Sequence, residues 1–226
     1  AAIHFAQKGY DVLGIDSSQA MLDETMRLAG DLPVKTMRGD VTCLPVGEAE
    51  FDTLISLNVV VHFPHLSDIL REFRRIVRPG GRIIFDIHVY DHLEAVYGVA
   101  AAKQFVESQR LDNYQRFASA EEIVDLANKL DLSVMAMSPY GVFCNANHWL
   151  SDIQGKHWWR RTIDWIPFDS ETMLLANQME SSVAAKLPTI ACARMMVVLE
   201  LSPPASRNDS WLLDNQRRNQ LLSSLD

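Results

Sequence analysis

The stretch Val12-Leu13-Gly14-Ile15-Asp16-Ser17-Ser18-Gln19-Ala20-Met21-Leu22 decides how this chain folds. An apolar run ends on an acid, two serines follow, and a helical pattern starts at once. A strand that runs straight into a helix is the unit of a parallel α/β sheet, and such sheets bind ligands beyond the carboxyl ends of their strands. Asp16 stands at that end. A carboxylate there can accept two charge-assisted hydrogen bonds from the vicinal hydroxyls of a ribose. The competing role for Asp16 is a helix N-cap, which Asp and Ser both favour.

The flanking sequence repeats the pattern. Ala1 to Lys8 reads as the end of a helix, with Ile3, Phe5 and Ala6 as apolar contacts and Gly9 as its stop. Tyr10 to Asp16 is a strand. Met21, Leu22, Thr25, Met26 and Ala29 share a face of the next helix, which Gly30 ends. Val34 to Met37 is a short strand closing on Arg38-Gly39-Asp40, and Phe51 to Leu57 is another, followed by Asn58-Val59-Val60-Val61-His62-Phe63-Pro64. Ile69, Leu70, Phe73, Ile76 and Val77 line one side of a helix, with Arg71, Glu72, Arg74, Arg75 and Arg78 on the other. Pro79-Gly80-Gly81 turns it into the strand Arg82 to Ile87. Ser119-Ala120-Glu121-Glu122 is a capping box opening a helix to about Leu130. Leu132 to Met137 and Thr189 to Leu201 are the last strand candidates. The alternation predicts an α/β fold with a Rossmann-like, mainly parallel sheet and flanking helices.

This domain is expected over 1–202, with 139–188 an insertion or lid before the last strand and 203–226 a polar tail, a weak helix at best. The insertion holds Trp149, Trp158, Trp159 and Trp165 beside Tyr140, Phe143, His148 and His157. Flat apolar rings there suit a planar or hydrophobic small molecule, and equally a satellite core or a homodimer contact. A net charge of −8 argues against a nucleic-acid surface, and the pairs Arg74-Arg75 and Arg160-Arg161 are read as solvated faces. Cys43, Cys144 and Cys192 are odd in number and lack a CxxC pair, which suits a reducing compartment and neither disulfides nor a zinc cage. No apolar run reaches membrane-span length, so a cytoplasmic location is expected.

Several motifs in order resemble the class I S-adenosylmethionine-dependent methyltransferases, in particular the small-molecule branch that includes quinone-biosynthesis enzymes. They are Gly14-Ile15-Asp16-Ser17-Ser18 with Met21-Leu22, Gly39-Asp40-Val41 with Leu44-Pro45, Phe51-Asp52, and Leu70-Arg71-Glu72-Phe73-Arg74-Arg75-Ile76-Val77-Arg78-Pro79-Gly80-Gly81. The resemblance covers roughly the first ninety residues; their order and spacing carry it. It implies S-adenosylmethionine as cofactor, with Asp16 on the ribose, Ser17 and Met21 lining the ribose and adenine pocket, Asp40 on the adenine amino group and the Val41 N–H facing the ring. It implies that Asn58 and Val59 pass the methionine end. A Gly-Asp turn competes for Asp40, and core packing for Met21. The family's first strand and glycine-rich loop belong before the helix that ends at Gly9, and this chain begins inside that helix. A domain truncated at its N-terminus is therefore expected, with the strands ending at Asp16 and Leu57 facing a gap.

Methyl transfer from a sulfonium is an in-line displacement, and a base is needed only where the acceptor loses a proton as it attacks. His88 and His62 are the candidate bases, with His92 a third, each following the carboxyl end of a predicted strand; the competing role for each is structural. His88 and His92 have i,i+4 spacing suited to a metal if helical, but no third ligand is in view, so no metal is expected. Two other readings stand beside methyl transfer to a small molecule. One is a non-catalytic interaction module of this fold. The other is a nicotinamide-dependent oxidoreductase, where an acid at a strand end also grips ribose.

Overall fold

The structure, a computed structural model, describes residues 1–109, 114–140, 174–175, 178–179, 182–183, 186–202 and 207–224. The first part alternates as expected: α1 (Ala2–Gln7), β1 (Val12–Asp16), α2 (Gln19–Ala29), β2 (Val34–Arg38), β3 (Phe51–Ser56), α3 (Leu66–Ile76) and β4 (Val77–Val89). The short helices α4 (Tyr90–Tyr97) and α5 (Val99–Glu107) follow, then the two-residue strand β5 (Phe117–Ala118), α6 (Ala120–Lys129), β6 (Ser133–Pro139), β7 (Arg194–Glu200) and α7 (Arg207–Ser223).

The strands form two sheets. β1 and β2 pair in parallel, with Asp16 beside Arg38. The larger sheet has the order β3-β4-β7-β6, with β5 added at the end of β4. β3 runs parallel to β4, and β7 runs antiparallel to both β4 and β6. The expected sheet is thus parallel in its first half and antiparallel at the far edge. No pairing joins β1 to β3 among the described residues. No residue of β1 is buried, despite the apolar run Val12 to Ile15.

The core lies against β4. Ile83, Phe85, Ile87 and Val89 are wholly buried and pack with Ile69, Leu70 and Phe73 of α3, Ile123 of α6, and Val197 and Leu199 of β7. A second, smaller core of Ala6, Ala29 and Val34 holds α1 and α2 on the β1-β2 pair. The apolar face read on α2 is only partly covered: Leu22 and Ala29 are buried, while Met21 is 58% exposed.

β4 starts at Val77, earlier than the sequence pattern suggested, because Pro79-Gly80-Gly81 bulges out of a continuing strand. Gly80 takes φ +78°, and a Cβ on Gly81 would lie 2.7 Å from the Asp52 carbonyl oxygen. Only glycine tolerates both demands. The Ser119 cap is as expected, its hydroxyl accepting the Glu122 N–H at 3.0 Å. Residues after 202 differ from the expected weak tail: α7 is seventeen residues long and is docked by buried asparagines. Asn208 accepts the Val134 N–H at 2.7 Å and donates to the Leu132 carbonyl at 3.0 Å and to Asn128 at 2.7 Å. Asn215 accepts the Thr189 N–H at 3.1 Å and donates to its hydroxyl at 3.0 Å. Apart from Pro139, Tyr140 and scattered positions from 174 onward, the expected 139–188 insertion, with its tryptophans, lies outside the described residues, as does the pair Arg160-Arg161.

Asn208→Ala strands the Val134 N–H and the Leu132 carbonyl away from water. It is expected to lower stability by about 1–3 kcal/mol in urea denaturation, and a change below a few tenths would show that the α7 dock is not structural.

Candidate functional site

Two exposed carboxylates stand at the carboxyl ends of neighbouring parallel strands. β1 ends at Asp16, whose Oδ1 accepts the Ser18 N–H at 2.8 Å. Ser18, not Asp16, is the N-cap of α2, its hydroxyl accepting the Met21 N–H at 3.4 Å. The Asp16 Oδ2 takes no hydrogen bond among the described residues. Ser17 is exposed, and its carbonyl accepts Arg38 Nε at 3.1 Å. Met21 is too exposed for a core role and projects from the first turn of α2 beside this acid.

Asp40 follows β2 in the same style. Its Oδ1 accepts the Thr42 hydroxyl at 2.6 Å and the Thr42 N–H at 2.8 Å, and these two donors hold its carboxyl below the usual carboxylate range. The Gly-Asp turn is therefore real and leaves Oδ2 without a protein partner among the described residues. Gly39 lets the strand pass closely, since a Cβ there would lie 2.6 Å from the Pro45 ring and 2.8 Å from Ile15.

The loop carrying Asp40 is clamped by α3. Glu72 accepts the Leu44 N–H at 2.7 Å and pairs bidentately with Arg75 at 2.6 and 2.9 Å. Arg75 donates in turn to the carbonyls of Val46 at 2.8 Å and Leu44 at 3.1 Å. Hydrogen bonds from Arg75 lower the pKa of Glu72. Arg74 donates to the Leu130 carbonyl at 2.6 Å. The pair Arg74-Arg75 is thus a structural clamp, not the solvated face expected. Val41 is half-buried against the main core.

At the carboxyl end of β3 the chain turns through Asn58, whose φ is +55°, and Val59 into a short 3-10 turn, Val60–His62. Asn58 and His62 are exposed, while Val60 and Val61 are wholly buried. Around Asn58 lies a polar cluster that sequence reasoning missed. Asp86 of β4, 2% exposed, accepts the Asn58 N–H at 2.5 Å, the Tyr140 hydroxyl at 2.6 Å and Arg194 Nη1 at 3.2 Å. Arg194 Nη2 reaches the Asn58 side-chain oxygen at 2.9 Å. Burial and the neighbouring carboxylate push the Tyr140 phenol above its usual range. The one sequence cue was an acid inside the apolar strand pattern Ile84-Phe85-Asp86-Ile87; Tyr140 and Arg194 are far away in the chain.

His88 lies on the same face of β4 as Asp86, two residues on. It is 2% exposed, stacks on Phe117 at 5.1 Å between ring centroids, and its Nε2 shares a hydrogen bond with Gln115 at 2.9 Å. Burial first, then the charge of Arg194, pushes its pKa down to about 4 despite Gln115 and Asp86, so it is neutral at pH 7. His92 sits on α4, not on one helix with His88, and its Nδ1 meets the Ile190 carbonyl oxygen at 2.6 Å. The helical condition for a metal pair is therefore not met.

The methyltransferase-domain family model matches residues 1–85. A ubiquinone biosynthesis O-methyltransferase of Alkalilimnicola ehrlichii is 26% identical over 138 residues, which are 58% of this chain and 56% of that protein. A 2-phytyl-1,4-naphtoquinone methyltransferase of Synechococcus elongatus is 34% identical over 82 residues, 34% of this chain and 35% of that protein. The crystal structure of magnesium protoporphyrin IX methyltransferase from Synechocystis PCC 6803 with bound SAH superposes with a TM-score of 0.52 at 14% identity, covering 89% of this chain and 68% of that one. The chain spans between a quarter and little more than half of the first curated relatives it matches. The resemblance to class I S-adenosylmethionine-dependent methyltransferases is borne out over residues 1–85, the fold is of that class, and S-adenosylmethionine is the cofactor these likenesses imply.

The buried, neutral His88 sets a pH dependence. The unfolded chain binds its proton below pH 6.5, whereas the folded chain does so only near pH 4, so stability is full above pH 6.5 and falls as pH drops towards 4. The contribution is ~2–3 kcal/mol. In urea denaturation at pH 7, 5.5 and 4.5, His88→Phe is expected to remove this part of the slope; an unchanged slope would mean that His88 titrates normally.

Proposed function

We propose that this chain is an S-adenosylmethionine-dependent methyltransferase acting on a small molecule. One observation carries the reading: Asp16 and Asp40, at the ends of adjacent parallel strands, each spend one carboxylate oxygen on the local turn and keep the other for a ligand. Two fixed acceptors suit an adenosyl group, which offers vicinal ribose hydroxyls and an exocyclic amine. Asp16 holds the ribose, with Ser17 and Met21 beside it. Asp40 takes the adenine amino group and the Val41 N–H faces the ring, both held in place by the Glu72–Arg75 clamp. Asn58 and Val59 pass the methionine end.

When bound, the cofactor supplies a methyl group on a good leaving group, a neutral thioether. The protein's contribution is to hold the acceptor in line and exclude water. His62 and His88 remain the candidate bases where the acceptor sheds a proton. His62 is exposed and so open to an acceptor, whereas His88 is buried, near enough to His62 to feel its charge. The acceptor is planar or hydrophobic, in keeping with the aromatic composition of 140–168 and with the quinone names of two relatives. A reducing, cytoplasmic setting fits Cys43 and Cys192, neither of which forms a disulfide among the described residues. No helix among the described residues is long and apolar enough to cross a membrane.

Calorimetric titration with S-adenosylhomocysteine tests the reading. Saturable binding is expected, weakened at least tenfold by Asp16→Ala, with no binding of NADH. Binding unaffected by Asp16→Ala would refute the site. Binding of neither ligand by a folded chain would favour the interaction module, and binding of NADH alone the oxidoreductase.

A further inference from the structure

We infer that Asp86 is a positioning residue for the cofactor: its carboxylate fixes Asn58 in the left-handed conformation that turns the chain along the methionine end of the bound ligand. The identity of that ligand rests on the reading above; the geometry stands independently of it. Register pairs Phe85 with Ser56, the last residue of β3, so Asp86 lies one step beyond the ladder, level with the point where the chain leaves the sheet. The Asn58 N–H has no strand partner there, and a peptide group in such a place must be satisfied some other way. Asp86 Oδ1 accepts it at 2.5 Å. A φ of +55° brings Cβ against the backbone of an L residue; Asn tolerates this better than most, and the bond from Asp86 adds to that tolerance by holding the peptide in place. The same cluster fixes the side chain through Arg194 Nη2 at 2.9 Å.

The partners of Asp86 come from three separate places: the loop after β3, the residue after β6, and the start of β7. A buried carboxylate is retained only where paired and hydrogen-bonded, and an apolar residue would often serve stability equally well. What the carboxylate adds is a defined backbone angle at an exposed residue on the ligand side. Asp86 itself, 2% exposed, acts on the ligand through the groups it holds, of which Asn58 is the one on the chain that passes it.

Glycine separates positioning from mere stability, because it takes a positive φ without the Cβ penalty and needs no strap. Affinity for S-adenosylhomocysteine is measured by calorimetry on the full chain, with circular dichroism to confirm folding. Asp86→Ala is expected to weaken binding at least tenfold. Asp86→Asn, whose amide oxygen accepts the same N–H, costs threefold or less. Because Asn58 itself lies at the ligand side, the glycine is read as a background: Asp86→Ala is expected to cost at least tenfold in the Asn58 chain and threefold or less in the Asn58→Gly chain. Amide hydrogen exchange without ligand should find the Asn58 N–H slow in wild type and fast in Asp86→Ala. Wild-type affinity in Asp86→Ala, or an equal loss with and without the glycine, would overturn the inference. Should Asp86→Ala not fold, Asn58→Val against Asn58→Gly decides: valine resists positive φ and should bind at least tenfold more weakly, and equal affinities overturn the inference. If wild type binds no S-adenosylhomocysteine, the functional reading falls and takes the positioning role with it. An unaltered affinity in Asp86→Ala beside a binding wild type removes the positioning role alone.

Discussion

The burial of β4 is the constraint on which the rest depends. It pairs with β3 on one edge and β7 on the other, and β5 adds to its carboxyl end. Its residues Ile83, Phe85, Ile87 and Val89 are wholly buried on the face that meets α3 and α6. The opposite face carries Asp86 and His88, also buried. Burying two ionisable groups on one face of a central strand costs free energy unless each is paired or neutral. Here both remedies are used: Asp86 is hydrogen-bonded by three groups, and His88 stays neutral. Those remedies bring Tyr140, Arg194, Asn58 and Gln115 to one place.

The β1-β2 unit obeys different physics. Its strands are mostly half-buried or exposed, its core is small, and its best-fixed features are turns, not packing. Asp16 and Asp40 both close turns with one oxygen, and the Glu72–Arg75 pair bolts the second turn to α3. A ligand spanning these acids would meet groups already oriented, so little side-chain freedom is lost on binding. The apolar run Val12 to Ile15 is only half-buried, unlike the run in β4.

The elements with one-dimensional patterns were legible in the sequence. The apolar stripe of α3, the strand-to-helix switch at Asp16 and the Ser119 cap each depend on residues within a few positions of one another. α7 was not legible, because it docks through Asn208 and Asn215 instead of an apolar stripe, and buried asparagines look like surface residues until their backbone partners are known. Arg75 was misread for a related reason: its carbonyl partners lie 29 and 31 residues away. At the site, Asp16 and Asp40 were visible as acids after apolar runs. The Asp86 cluster was hidden because its partners lie 28, 54 and 108 residues away.

The N-cap role that competed for Asp16 falls to Ser18, and the turn that Asp16 does close is compatible with a second role as a ligand acceptor. A carboxylate has two oxygens and about four acceptor directions. The Ser18 N–H uses one of them and, in doing so, stops the side chain from rotating. Asp40 behaves alike with Thr42. The local bond that makes each acid look merely structural uses one oxygen and leaves the second without a hydrogen-bond partner among the described residues. Asp86 is the contrasting case, with both oxygens consumed inside the protein, so any influence on a ligand passes through the groups it holds.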